Sequence, residues 1–248
     1  MKKKFFFGMM LLIFLGALVA ILIPKLSQKT SLQTLQAAPV AEKPVLSPSA
    51  IPPPPEALVS SETPAFKAIL SAQPDVHSVI HEVKAGDNLT KLARQYKTTA
   101  ELIKKINALP NDRLRLGMKL KIATLPFSLV IDKSQNTLIL KGVEEVLKTY
   151  PCSTGLHNST PVGIFKIKDK LMNPTWYKAG AVVPFGSPQN VLGTRWLGIT
   201  KAGYGIHGTT EPEKIGQQVT SGCVRMRNED VEELYAFVPT GTEVTIVD

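Results

Sequence analysis

Residues 220–226 read TSGCVRM and residues 205–209 read GIHGT, and these two stretches decide how the carboxyl-terminal half of the chain is interpreted. Cys223 follows a glycine, which permits close backbone approach, and lies two residues before Arg225, whose positive charge favours a thiolate. A nucleophilic thiol needs a base within hydrogen-bond reach. His207, sixteen positions before the cysteine, is the best candidate of the four histidines. Spacing alone leaves this pairing open, because a single histidine in a loop is more often inert.

Short runs of β-forming residues separated by turn residues surround the two stretches. The predicted strands cover residues 127–132, 137–141, 163–167 and 242–247. One helix is predicted to follow the cysteine, with Asn228 as its cap and with Val231, Leu234, Tyr235 and Val238 on one face. The predicted fold class of this region is mainly β with at least one short helix.

The same region resembles the catalytic domain of the YkuD family of L,D-transpeptidases. The matching segments are HGT at 207–209, SGCVRM at 221–226, STPVGIF at 159–165 and LGTRWL at 192–197. One common version of the family has a second histidine at the position where Ser221 stands here, so a second imidazole has no counterpart. The resemblance implies a β-sandwich catalytic domain over residues 126–248.

The resemblance also implies a reaction. Cys223 would attack the carbonyl that joins the L-centre of a diamino acid to the terminal D-Ala of a tetrapeptide stem, with His207 holding or taking the thiol proton. D-Ala leaves, and an amine from a neighbouring stem resolves the thioester into a 3→3 cross-link. Main-chain N–H groups around Gly222 and Cys223 would meet the oxyanion, and the Gly208 carbonyl would orient the imidazole.

Four further side chains complete the predicted substrate site. Arg225 is a candidate for gripping a stem carboxylate at two points, the alternative being a structural ion pair. Ser221, Tyr204 and Trp196 are predicted to contribute to the same site. For Trp196, as for Trp176, aromatic core packing is an alternative that is at least as good.

Residues 79–122 show the pattern strand, helix, helix, strand, with Thr99 as the predicted cap of the second helix. This pattern, with HEVKAGDNL at 81–89, resembles a LysM module over residues 80–123. The resemblance implies binding of an N-acetylglucosamine-containing glycan, for which Gly86, Asp87 and Asn107 are the predicted contacts. A small βααβ domain without a ligand is the alternative.

The amino-terminal third differs in composition. Residues 5–23 form an uncharged apolar run of nineteen, long enough as a helix to cross the roughly 30 Å hydrocarbon core of a bilayer. With the lysines before it, the run predicts a single transmembrane anchor over residues 1–23 and an extracytoplasmic catalytic domain at the cytoplasmic membrane. A cleaved signal peptide and a buried soluble helix are the alternatives. Residues 24–79, with ten prolines and no glycine, are predicted to be an extended linker, either a stiff spacer or a tolerated disordered segment.

Several classes of function are disfavoured. Five lysines in the first thirty residues supply +5 of the formal charge of +9, and the remaining excess is too diffuse to indicate nucleic acid. Neither a metal nor a cofactor is predicted, and a disulfide between Cys152 and Cys223 is disfavoured, with Cys152 interpreted as a small buried hydrophobe. The expected partner is peptidoglycan, which implies a role in cell-wall organisation and cell shape. An L,D-carboxypeptidase and a wall-binding protein with an inactive catalytic domain remain alternatives.

Overall fold

A computed structural model describes residues 60–143, 145–178 and 180–248. In this part of the chain the α-helices are α1 (Pro64–Leu70), α2 (Leu89–Gln95), α3 (Ala100–Ile106) and α4 (Asn228–Phe237). The strands are β1 (Ser61–Glu62), β2 (Ser78–Glu82), β3 (Lys119–Ala123), β4 (Ser128–Asp132), β5 (Thr137–Lys141), β6 (Val146–Pro151), β7 (Thr154–Gly155), β8 (Gly163–Met172), β9 (Trp176–Lys178), β10 (Ala181–Val183), β11 (Arg195–Ile199), β12 (Gly205–His207), β13 (Gln218–Thr220), β14 (Val224–Arg225) and β15 (Glu243–Val247).

The βααβ pattern predicted for the smaller domain is present. Strands β2 and β3 pair antiparallel, and helices α2 and α3 pack on them around a core that contains Leu92, Ile103 and Ile122. The predicted cap at Thr99 is confirmed, because its side chain accepts a hydrogen bond from the Leu102 N–H at 2.9 Å. Asn88 caps α2 in the same way by accepting from the Lys91 N–H.

The larger domain contains one nine-stranded sheet in the order β1-β6-β5-β4-β15-β8-β11-β12-β14. The sheet is continuous and curled, and its arrangement as a sandwich stays a prediction. The ten-residue strand β8 explains the continuity, since residues 163–166 pair with β15 whereas residues 167–172 pair with β11. The mainly β fold with few helices agrees with the sequence.

Helix α4 packs its apolar face into the main core. Val231, Leu234 and Phe237 are fully buried there. The helix begins one residue earlier than the sequence predicts, with Arg227 at the cap position and Asn228 as the first helical residue. The side chain of Asn228 is used elsewhere, as described below.

The predicted extended linker reaches residue 79, and its described portion is folded. Strand β1 pairs with β6, and α1 inserts Phe66 into the main core, where its ring stacks on Phe237 at 4.9 Å. Thr63 caps α1 by accepting from the Phe66 N–H, and proline suits the first turn because it has no N–H to satisfy. Residues 60–79 therefore correct the linker prediction, which for residues 24–59 lies outside the described part of the chain.

The two domains share a hydrophobic core. Leu102 and Ile106 of α3 belong to the same buried cluster as Phe66 and Phe237. The Thr99 hydroxyl donates a short hydrogen bond to the Ala236 carbonyl, so the residue that caps α3 also joins it to α4.

Polar contacts reinforce this junction. Lys105 pairs with Glu233 at 3.2 Å, and Glu233 pairs in turn with Lys148 of β6 at 2.5 Å. The ammonium of Lys121, only 2% exposed, donates to the Ala68 and Ser71 carbonyls at the end of α1. The βααβ domain is therefore attached to the larger domain by buried and polar contacts and not only by the connecting segment.

Across residues 60–143, 145–178 and 180–248, no helix has the length and apolar character needed to cross a bilayer. The predicted anchor at residues 1–23 lies outside the described residues.

Candidate active site

The turn that carries Cys223 is held by Thr220 and Gly222. The Thr220 hydroxyl accepts from the Gly222 N–H at 3.1 Å and donates to the Cys223 carbonyl at 2.6 Å. Gly222 has φ +125°, and a Cβ there would lie 2.6 Å from Cε1 of Tyr204, so the position requires glycine. The Gly222 N–H is engaged inside the turn in this structure, and its predicted contact with an oxyanion stays a prediction.

Cys223 lies directly before β14, and His207 ends the neighbouring strand β12. Strands β12 and β14 pair in parallel, with Ile206 opposite Val224 and His207 opposite Arg225. If the alternation of side chains continues one residue beyond β14, Cys223, two residues before Arg225, lies on the same face as His207. The pairing of these strands brings the segment that carries Cys223 beside the segment that carries His207, although sixteen positions separate the two residues in sequence.

The imidazole of His207 has a defined orientation. Its Nδ1 lies 2.7 Å from the Gly208 carbonyl oxygen, and the residue is 4% exposed. A carbonyl oxygen can only accept, so Nδ1 carries the hydrogen and Nε2 is left as the basic nitrogen.

Trp196 of β11 covers the imidazole. The two rings stack with their centroids 6.0 Å apart, and the indole Nε1 donates to Asp169 at 3.0 Å. A Cβ on Gly205 would lie 2.6 Å from the indole, so glycine at 205 lets the ring sit close to the strand. Trp196 thus helps to bury His207.

Burial controls the protonation of both groups. It lowers the pKa of His207 to about 4, helped by the positive charge of Arg225 and opposed by the hydrogen bond to Gly208. Burial also raises the pKa of Cys223, against the opposing influences of the Gly205 N–H and Arg225. Both directions favour a neutral thiol beside a neutral imidazole at pH 7, with the thiol donating to the Gly203 carbonyl at 3.7 Å.

A groove of about 310 Å³ opens beside Cys223. Its walls include Trp176, Tyr177, Trp196 and Leu192. Both tryptophans therefore line this groove. The sequence had left open whether they line the substrate site or pack in the core.

The other two predicted substrate contacts differ in position. Tyr204 is half-buried and packs against the main core, where its ring lies against Gly222 and so supports the turn. Ser221, next to Cys223, is exposed.

Arg225 is 7% exposed and forms an ion pair with Glu211 at 2.9 Å. Glu211 also pairs with Lys214, and hydrogen bonds first from Lys214 and then from Arg225 lower the pKa of the glutamate. Of the two roles considered for Arg225, the structure therefore shows the ion pair. The guanidinium is not free to bind a substrate carboxylate, as the sequence had suggested it would be. A substrate carboxylate would have to compete with Glu211.

Asn228 supports the site, although the sequence indicated for it only the role of a helix cap. Its Oδ1 accepts from the N–H groups of Thr194 at 3.2 Å and Thr209 at 3.1 Å, and its Nδ2 donates to the Thr209 carbonyl at 2.8 Å. A Cβ on Gly193 or Gly208 would lie 2.2 Å from this Oδ1. Asn228 therefore clamps the LGTRWL segment to the turn that contains Gly208.

The predicted glycan contacts form hydrogen bonds within the βααβ domain. Asp87 bonds His81 at 2.8 Å and the Lys84 N–H at 2.9 Å, and these hydrogen bonds, that of Lys84 first, hold the pKa of the carboxyl well below its usual range. Gly86 occupies a turn at φ +82°.

The side chain of Asn107 also forms its hydrogen bonds within the βααβ domain. It donates both of its amide hydrogens, to the Ile103 and Lys121 carbonyls, and accepts from the Lys121 N–H. All three predicted residues are therefore part of the framework of the domain, and their contact with a glycan stays a prediction.

Both cysteines are free. Cys152 is fully buried, and burial raises the pKa of its thiol, as expected for a packing residue. This agrees with the preference against a disulfide.

Comparison with known proteins identifies both domains. Residues 126–246 match the YkuD model, described as an L,D-transpeptidase catalytic domain, and residues 81–123 match the LysM domain. YkuD of Bacillus subtilis (strain 168), named as an L,D-transpeptidase, is 35% identical over 173 residues, covering 67% of this chain and 97% of the relative. YqjB of the same organism is 38% identical over 125 residues, covering 48% and 70%. YbiS of Escherichia coli (strain K12) is 33% identical over 154 residues, covering 51% and 50%.

The chain therefore belongs to the YkuD family of L,D-transpeptidases and carries a LysM domain before its catalytic domain.

Proposed function

We propose that this protein is a peptidoglycan L,D-transpeptidase with Cys223 as nucleophile and His207 as base. The donor is a tetrapeptide stem, and the bond attacked joins its diamino acid to the terminal D-Ala. The observation that supports the proposal is the parallel pairing of the strand that ends at His207 with the strand that directly follows Cys223, together with the hydrogen bond of His207 Nδ1 to the Gly208 carbonyl. That hydrogen bond leaves Nε2 available to accept the thiol proton.

The neutral state of the pair favours proton transfer during attack. As Sγ of Cys223 bonds to the carbonyl carbon, Nε2 of His207 takes the thiol proton. No thiolate–imidazolium pair therefore has to exist in the site before the attack. The imidazolium then donates that proton to the departing nitrogen of D-Ala as the C–N bond breaks. The product of this half-reaction is a thioester on Cys223.

The second half-reaction reverses the roles. An acceptor amine attacks the thioester carbon, His207 accepts a proton from the amine, and the thiol of Cys223 is regenerated with its hydrogen. The main-chain N–H of Cys223 is the proposed donor to the oxyanion, because that of Gly222 is already engaged. The new amide is a 3→3 cross-link when the amine belongs to the diamino acid of a second stem.

The proposed setting is the extracytoplasmic face of the cytoplasmic membrane, with residues 1–23 as anchor. The LysM domain, residues 80–123, would hold the glycan strand while the catalytic domain, residues 126–248, acts on stems. The match to a LysM domain supports the first part, and family membership supports the second.

The deciding experiment incubates the full-length chain with purified tetrapeptide muropeptides and analyses the products by mass spectrometry. Wild type is expected to yield dimers that have lost one D-Ala, and Cys223→Ala to yield none. Cys152→Ala is the matched control, since it removes the other thiol from a fully buried position and should retain turnover.

Other outcomes redirect or reject the assignment. Tripeptide monomers without dimers would identify an L,D-carboxypeptidase that uses water as acceptor. Turnover by Cys223→Ala would reject the nucleophile, and no product from the wild type would reject this donor.

A further inference from the structure

A second concave site lies between the LysM domain and the catalytic domain. It is a cleft of about 790 Å³, walled on one side by α2 and the residues that follow it, and on the other by residues 239–242 and the connecting segment. The groove beside Cys223 shares none of its lining residues with this cleft. Gly86, Asp87 and Asn107, the predicted glycan contacts, do not line it either.

The shape of the cleft is fixed by the junction between the domains. Phe127, in one wall, packs edge to face on Phe237 of the shared core at 5.5 Å. Thr99, which follows the lining residue Thr98, is bonded to Ala236 of α4. A preformed site of this volume loses little conformational freedom when a small ligand binds.

The charge of the cleft is positive. Arg94 and Lys97 line it, both are exposed, and within the described residues neither has an ion-pair partner. No acidic residue is among the fourteen residues that line it. An unpaired guanidinium beside an ammonium is suited to bind a carboxylate.

The backbone at Lys97 is unfavourable for a lysine. Its φ is +54°, in the left-handed region, and the Thr98 N–H bonds the Ala93 carbonyl at 2.9 Å in the pattern that ends a helix. Glycine fits this position best, because an L-residue with a Cβ is strained there. The lysine therefore lowers local stability while it places a cation at the cleft.

The remaining walls suit a sugar. Pro126, Phe127 and Pro239 supply apolar surface for the C–H face of a pyranose ring, and the five threonines that line the cleft supply hydroxyls. One of them, Thr98, is 7% exposed, and in the described part of the chain its hydroxyl has no hydrogen-bond partner. A buried hydroxyl without a partner is costly, so a polar ligand next to it is favoured.

We propose that this cleft binds a carboxylate-bearing peptidoglycan fragment, a muramyl peptide, through Arg94 and Lys97. The inference rests on the proposed function, since it takes peptidoglycan as the polymer. The site holds polymer and performs no chemistry, because Cys223 lies in the other groove.

The test is a calorimetric titration of the full-length chain in the Cys223→Ala background, which blocks turnover. Two probes are compared: the disaccharide–tetrapeptide, which carries carboxylates, and an uncharged N-acetylglucosamine oligomer. Arg94→Ala combined with Lys97→Gly is expected to weaken binding of the disaccharide–tetrapeptide about tenfold or more at low salt, as for a lost pair of charge-assisted contacts. Binding of the uncharged oligomer should be unchanged.

The substitutions separate binding from folding. Lys97→Gly relieves the left-handed strain, so the Lys97→Gly single variant should melt at a higher temperature than its parent while binding the disaccharide–tetrapeptide less tightly. The control, Lys119→Ala with Lys168→Ala, removes two exposed charges outside the cleft and should leave both affinities unchanged.

Three results would overturn the inference. They are an unchanged affinity in the Arg94 and Lys97 variant, an equal loss in the control, and preferential binding of a phosphate-rich wall polymer. Failure of the proposed function is seen separately, as wild-type protein that binds the disaccharide–tetrapeptide but yields no product in the muropeptide assay.

Discussion

At the scale of single residues, the protonation of His207 and Cys223 decides how the thiol becomes reactive. Burial of His207 and partial burial of Cys223 oppose the charged forms, and the hydrogen bond from Nδ1 to Gly208 fixes the tautomer. In the proposed mechanism the pair therefore stays neutral until the sulfur attacks a carbonyl. This differs from a cysteine whose thiolate is stabilised beforehand by a neighbouring imidazolium.

The substitution His207→Gln distinguishes a neutral thiol–imidazole pair from a preformed thiolate–imidazolium pair. We expect the substitution to lower turnover by about a hundredfold or more, because the base is lost. The rate of Cys223 alkylation by iodoacetamide at pH 7 should stay nearly the same, because the histidine does not hold a thiolate in the resting protein. The measurement is the pH dependence of alkylation in the wild type and the variant, followed by mass spectrometry.

A preformed ion pair would give a different profile. Wild-type alkylation would then be fast at pH 6 to 7, and His207→Gln would slow it sharply. Cys223→Ala serves as the control for labelling of Cys152, which should remain unmodified in the folded protein because it is fully buried.

At the scale of elements, the beginning of α4 ties two loop segments to each other. Asn228 makes three main-chain hydrogen bonds, to Thr194 and to Thr209, in the turn that presents the Gly208 carbonyl. The orientation of His207 therefore depends on a helix that contributes no reacting group.

Asn228→Ala should lower kcat for D-Ala release about tenfold or more, because the Gly208 carbonyl loses its support and the imidazole its orientation. KM should change little, since Asn228 is not among the residues lining the groove. Asn228→Asp, which keeps both acceptor contacts, should recover part of the loss. Steady-state kinetics over pH 5 to 9 provides the measurement.

Thr63→Ala is the matched control for this prediction. It removes two hydrogen bonds of the Thr63 hydroxyl, with the Leu147 carbonyl and the Phe66 N–H, at the start of α1. Both variants are expected to unfold more easily, but only the change at Asn228 should alter kcat. Equal kinetic effects would show that Asn228 acts through stability alone.

The sequence predicted some of these elements and not others, for local reasons. Thr99 was predictable as a cap, because a capping threonine acts on its own helix. Helix α1 has a capping threonine and a first-turn proline too, but it lies at the end of a proline-rich stretch whose composition favoured a linker. Its stability comes from Phe66 packing on Phe237, a contact between residues distant in sequence.

Long-range contacts also limited the prediction of the site. Cys223 and His207 could be proposed from the sequence because the short motifs that carry them resemble those of a known family. The ion pair between Arg225 and Glu211 and the clamp at Asn228 are set by tertiary structure, which the motif does not encode locally.

At the scale of the whole molecule, two buried groups give opposite pH dependence of stability. His207 has a pKa of about 4 in the folded protein, so the unfolded chain gains its proton first and stability falls as the pH drops from about 6.5 to 4. Burial raises the pKa of Asp230 to about 6 from 3.8, so the folded protein gains that proton first. Stability from Asp230 therefore rises over the same range of falling pH.

Asp230→Asn should remove one of these two opposing contributions. At pH 7.5 the variant should be more stable by about 2 kcal/mol, because the folded protein no longer holds a buried carboxylate against its raised pKa. Its advantage should disappear as the pH falls toward 4, where Asp230 is protonated in the folded wild type. Urea unfolding at pH 4, 5, 6 and 7.5 measures both effects.

His207→Gln is the reciprocal control, and its stability relative to wild type should increase on acidification from pH 6 to 4, because its unfolded chain no longer gains the histidine proton. A variant at Asp230 that is less stable than wild type at pH 7.5 would contradict the prediction. That result would mean that the carboxylate stabilises the first turn of α4 by more than its burial costs.

The shared core of the two domains has a consequence for processing along a polymer. Thr99 is bonded to Ala236 and α3 packs into the core of the catalytic domain, so the structure holds the LysM domain and the segment of Cys223 in one arrangement. If the LysM domain holds a glycan strand, as proposed, that strand meets the thiol at one distance and one angle, and this distance sets the spacing of the stems that react. Stem peptides at that distance along the strand would be presented to Cys223 at a high effective concentration, and stems at other distances would react less often.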